Sequence, residues 1–163
     1  MPLSDYFSLN IRHKENITNI VLRLGLPFAH TDEIPQTLSI LRQELPGIFE
    51  TECFNNKDIP FEIEAKNTEI GHLFEHILLE YLCQIKCSLG SEDICFNGET
   101  SWNWKRDKFG TFHISVSAGL LDIKEFYLAL EKSIYLLEKI IKSKTTGFPK
   151  IYKSYFHSLS LAA

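Results

Sequence analysis

The stretch TEIGHLFEHILLEYL, Thr68 to Leu82, places two histidines four residues apart inside an apolar run. From Thr68 to Cys87 the residues Ile70, Leu73, Phe74, Ile77, Leu78, Tyr81, Leu82 and Ile85 recur at i, i+3, i+4 and i+7. That period is the signature of an amphipathic helix. Gly90 follows as its stop. At 100° per residue His72, Glu75, His76 and Glu80 gather on the face opposite the apolar stripe, where an ordinary helix meets water.

Period-two patterns stand on both sides of this helix. In Ile17 to Leu26 the residues Ile20, Leu22, Leu24 and Leu26 alternate with Val21 and Arg23, which reads as the first strand. In Gly110 to Ala118 the residues Phe112, Ile114, Val116 and Ala118 alternate with His113, Ser115 and Ser117, a half-buried strand. Between the first strand and the central helix, Thr31 or Asp32 caps a helix from Glu33 to Glu44 with Pro35 in its first turn, and Pro46 and Gly47 end it. GIFETECF reads as a second short strand and NNKDIPFEIEAKN as a connector. A last helix opens on an Asp122-x-x-Glu125 capping box and carries Ile123, Phe126, Leu130, Ile134, Leu137 and Ile141 on one stripe. The alternation is too irregular for a doubly wound sheet. The expected fold is α/β (α+β), a two-layer sandwich of a small mixed sheet with helices packed on it.

With 163 residues and no repeat or linker, the chain reads as a single domain, 1–163, large enough to bury a core without a metal or disulfide to hold it. Its 44% hydrophobic and 23% charged residues are those of a globular soluble protein. A net charge of −4 gives no broad basic footprint, so no nucleic-acid partner is expected. No apolar run approaches the ~18 residues a membrane span requires, and the N-terminus lacks a basic region followed by a hydrophobic one. The expectation is a cytoplasmic protein whose four cysteines, Cys53, Cys83, Cys87 and Cys95, remain thiols.

HLFEH is an HxxEH sequence. Imidazoles at i and i+4 share a helix face and can chelate one zinc ion, as in metalloproteases of HExxH and inverted HxxEH type. A carboxylate beside a ligand can take the proton of a metal-bound water, whose pKa the metal lowers to about 7. Glu75 is therefore the candidate catalytic base, and His72 and His76 the candidate ligands of Zn2+. Glu80 is the candidate third ligand or an outer-shell partner, although its Cα lies about 12 Å from that of His72 on a straight helix. His113, Cys53 and Cys95 are further candidates. The bland reading is a solvated helix face. SWNWKRDKFG, Ser101 to Gly110, reads either as a hairpin with tucked aromatics or as an exposed recognition loop.

Leu45, Pro46, Glu50 and Cys53, then Thr68, Gly71, His72, Glu75, His76 and Glu80, then Gly110 and Phe112 resemble in order the motifs of the N-terminal domain of cyanophycin synthetase. The resemblance spans roughly residues 17–141. It implies a module that docks a polyaspartate polymer bearing arginine, with a metal-dependent hydrolase site on the GHxxEH helix in some members. It also implies that His72 and His76 are ligands, Glu75 the base and Glu80 a third ligand or support. Thr51 stands where the family has histidine, Ser117 where it has an acidic residue, and its glycine-rich segment is replaced. The chain has no Gly-rich phosphate loop and is not a synthetase by itself. The expected function is a zinc-dependent hydrolase-like domain acting on a peptide-like or arginine-rich polymer, with a homo-oligomer left open. The alternative is a non-catalytic polymer- or protein-binding module that keeps the helix motif. S-ribosylhomocysteine lyase, which pairs an HxxEH helix with a cysteine ligand, is a third comparison.

Overall fold

The computed structural model describes residues 4–51, 53, 59–91 and 96–145. Four strands, β1 (Phe7–His13), β2 (Thr18–Leu24), β3 (Gly98–Ser101) and β4 (Thr111–Val116), form one sheet in the order β1-β2-β4-β3. Among the described residues four α-helices accompany it: α1 (Thr37–Glu44), the single turn α2 (Phe61–Glu64), α3 (Ile70–Ser88) and α4 (Ile123–Thr145). Among the described residues no helix is long and apolar enough to cross a membrane.

This is the expected α+β architecture of one sheet with helices packed on it, and every strand pair in it is antiparallel where a mixed sheet was anticipated. Alternation decides which sheet face is inside. Ile20, Leu22 and Leu24 of β2 and Phe112, Ile114 and Val116 of β4 are buried, with α3 packed on β3 and β4 and α4 packed on α3. The register Ile20↔Ile114 and Leu22↔Phe112 lines them up across the sheet, and a slip of one residue would turn both sets to water.

Several elements differ from their sequence reading. β1 was not anticipated, although Phe7, Leu9 and Ile11 alternate in it. β3 is GETS, with no apolar residue to announce it, and it exists by pairing with β4. The helix expected from Glu33 begins at Thr37, because Thr31–Glu33 forms a separate 3-10 turn. The Thr31 hydroxyl accepts from the Thr68 N–H and the Thr31 N–H donates to the Thr68 carbonyl, so Thr31 serves the entry to α3 and caps no helix of its own. GIFETECF is not a strand: Pro46–Glu50 is a 3-10 turn, and Glu52 and Phe54 lie outside the described residues. At the start of α4, Asp122 closes a 3-10 turn and pairs with Lys86 Nζ of α3 at 2.5 Å, which ties the two long helices together.

Candidate metal centre

The helix entering the site is pinned before it begins. The Ile70 N–H donates to the Ala29 carbonyl at 2.7 Å, and His30 and Glu69 form a β-bridge. Gly71 then lets α3 lie directly on β4, since a Cβ there would run into the Phe112 ring. The space it frees therefore faces the sheet and not His72.

The face of α3 that periodicity assigned to water is largely covered. Glu75 is 5% and His76 4% exposed. On one side β3 crosses Glu75 so closely that a Cβ on Gly98 would sit 2.6 Å from Glu75 Oε1. On the other side Phe61 of α2 stacks flat on the His76 ring, with centroids 3.8 Å apart and planes at 14°. A polar side chain is buried only where partners satisfy it, and Glu75, His76 and the half-buried His72 each have them.

Thr100 of β3 donates its hydroxyl to Glu75 Oε2. Thr68 Oγ1 lies 2.8 Å from His72 Nδ1. Thr51 Oγ1 donates to the Ile48 carbonyl at 2.6 Å and lies 3.3 Å from His76 Nδ1. With its only hydrogen engaged on Ile48, that hydroxyl accepts from the ring, which places the proton on Nδ1 and leaves the Nε2 lone pair free. A fixed Nδ1–H with a free Nε2 is the arrangement that ligating histidines have.

Among the described residues one group has donor atoms placed to hold a metal: Cys53, His72 and His76, all within 4.8 Å of one another. Cys53 Sγ is 3.5 Å from His72 Nε2. Tetrahedral zinc with Zn–N of about 2.1 Å and Zn–S of about 2.3 Å spaces its ligands about 3.4–3.6 Å apart, so the Cys53–His72 separation already fits. The widest separation, up to 4.8 Å, must close by about 1.2–1.4 Å. One thiol and two imidazoles are also the donor chemistry that zinc and its neighbours prefer.

Glu80, the third ligand expected from sequence, does not join this group. Two helical turns beyond His72, its carboxylate accepts from Gln84 Nε2 at 2.9 Å and rests against Gly47. His113 is also elsewhere, on the outer sheet face with Asp107 at 3.1 Å. Cys95 lies outside the described residues. Of the sequence candidates, the structure brings together His72, Glu75, His76 and Cys53. Thr51, Thr68, Thr100 and Phe61 were not singled out as site residues, and neither their spacing nor their chemistry announces them. SWNWKRDKFG is a hairpin in which only Trp104 is tucked: its indole donates to the Thr111 carbonyl and its ring packs among His30, Phe109 and Phe112, while Trp102 and Phe109 stay exposed at 39% and 45%.

The electrostatics follow from burial. Desolvation lowers the His72 pKa, opposed by the carboxylates of Glu64 and Glu69. Desolvation, helped by the neighbouring His72, pushes His76 down to about 3. Both rings are thus held neutral, the form that binds a metal. Desolvation pushes Glu75 up to about 7, against the Thr100 hydrogen bond and with help from Glu99. Cys53, His72, Glu75, His76 and Leu79 line a cavity of about 200 Å³ closed on its far side by residues 96–100.

The chain matches no protein-family model and no curated protein.

Proposed function

We propose that this protein is a metal-dependent hydrolase-like domain that holds one zinc-type ion through Cys53, His72 and His76 and acts on an amide bond of a peptide-like polymer. The observation that carries this reading is a thiol and two imidazoles within 4.8 Å of one another, lining the same cavity as a buried carboxylate. When bound, the ion would supply Lewis acidity and lower the pKa of water to about 7.

The chain's own residues have the remaining roles. Glu75 accepts the proton of the attacking water and returns it to the leaving amine. A general base works best when its pKa lies near the operating pH, and about 7 meets that condition. Thr100 orients the carboxylate, Thr51 and Thr68 orient the rings, and Phe61 keeps water off His76. Glu64, Glu69 and Glu99 make the surroundings anionic, which favours a cationic polymer over an acidic one. An arginine-bearing polymer, the substrate implied by the resemblance to the cyanophycin synthetase N-terminal domain, meets that requirement.

Metal analysis of protein purified without chelator tests the reading. One transition-metal ion per chain is expected in the wild type, with loss in Cys53→Ala and in His76→Ala. Glu75→Gln should keep the metal while its rate on arginine-rich polymer falls by at least ~10²-fold. A wild-type protein free of metal would overturn the proposal.

The cysteine in the donor set favours one second reading. S-ribosylhomocysteine lyase combines an HxxEH helix with a cysteine ligand, so a sugar thioether assayed beside the polymer separates the two chemistries. Metal without turnover of either substrate leaves a binding module.

A further inference from the structure

α4 buries one stripe in the core and presents another to solvent. Leu121 is 92% exposed, Leu128 55% and Tyr135 64%. Leu128 and Tyr135, seven apart on the helix, fall within about 20° of a single line, and Leu121 precedes them in the 3-10 turn Leu120–Asp122. The two lie about 10 Å apart along the helix. Phe126, Leu137 and Ile141 on the opposite side are fully buried, so the core does not need this second stripe.

The charges beside the stripe are ordered. Lys124 and Glu131 lie along one flank, Glu125 and Lys132 along the other. Among the described residues Lys124 and Glu131 have no ion-pair partner in their own chain. Lys132 reaches only the Tyr81 ring, 5.6 Å away.

We propose that α4 is the contact face of a homodimer, packed antiparallel against α4 of a second copy about a twofold axis through Leu128. An isologous contact needs a surface complementary to itself, and this pattern has that property. Under the twofold, Leu128 meets its own copy and Tyr135 lies toward the turn that carries Leu121. On the flanks Lys124 meets Glu131 and Glu125 meets Lys132, each pair occurring twice. Antiparallel packing also sets the two helix dipoles head to tail. No residue lining the metal cavity is on α4, so this inference is independent of the metal reading.

Sedimentation of the full chain over a concentration series tests it, with a reversible dimer expected. Leu128→Asp would place two carboxylates at the centre of the contact and weaken the dimer on the order of a hundredfold. Its Tm as a monomer should be unchanged, because the residue is exposed there. Lys124→Glu and Glu131→Lys should each weaken self-association, and mixing them should restore it, since both cross-contacts then regain opposite charges. Three results would overturn the proposal: a wild-type monomer at every concentration, including one whose stripe is shielded from labelling by residues 146–163; a dimer indifferent to Leu128→Asp; or charge variants that do not recover on mixing.

Discussion

Thr51 donates its hydroxyl hydrogen to the Ile48 carbonyl, so toward His76 it can only accept. Thr51→Val removes that acceptor, and the ring is then free to carry its proton on Nε2. Metal affinity should fall 10–100-fold, the usual effect of losing an outer-shell partner, while Thr51→Ser retains it; equal affinities for all three proteins by competition with a chromogenic chelator would refute the role. Glu75 allows a pH test on the metal-free protein. Its folded pKa of about 7 exceeds its ordinary 4.5, so its contribution to stability is present below pH 4.5 and lost as pH rises through 7. His76 runs the other way, from 6.5 down to about 3, with stability present above 6.5 and lost as pH falls toward 3. Between 4.5 and 6.5 the two slopes cancel. Glu75→Gln should therefore match the wild type near pH 4.5 and exceed it at pH 8 by about 3 kcal/mol. Urea denaturation in chelator measures both, and an equal difference at the two pH values would contradict it.

At the scale of the element, α3 is the part in which sequence and structure agree best on extent and least on surroundings. Its apolar period located it within two residues at each end. Periodicity gives direction around a helix axis but not what stands there, and here β3 stands against Glu75 while α2 and the Pro46–Glu50 turn stand against His76. Two close packings make this enclosure. Gly71→Ala forces a methyl into Phe112 and should cost about 1–3 kcal/mol, with Phe112→Leu recovering part of the loss in the double variant. Phe61→Ala removes a fully buried ring stacked on His76 and should cost about 3–5 kcal/mol. It should also admit water to the histidine, raising the His76 pKa observed by NMR in metal-free protein. An unchanged His76 titration would show that Phe61 does not control its solvation.

At the scale of the whole molecule, the core is complete without a metal. Phe7, Leu22, Phe74, Phe112, Phe126 and Leu137 belong to one contiguous cluster spanning the sheet and its helices. Chelator should therefore lower Tm without unfolding the chain at room temperature, and metal at a hundredfold excess over Kd should add about 2.7 kcal/mol. Collapse on chelation, followed by circular dichroism, would show instead that the site is structural. The fold class, the two core strands, both long helices and the pair of histidines with their glutamate were legible in the sequence, because each rests on local periodicity or on spacing within one helix. The missed strand β3, the burial of Glu75 and His76, and the placement of Cys53 rather than Glu80 beside the two histidines were decided by tertiary structure. A polar strand exists only through its neighbour's hydrogen bonds. Which donor stands beside the histidines depends on which segment crosses the helix, and the 3.5 Å from Cys53 to His72 is a distance in space that nineteen positions along the chain do not encode.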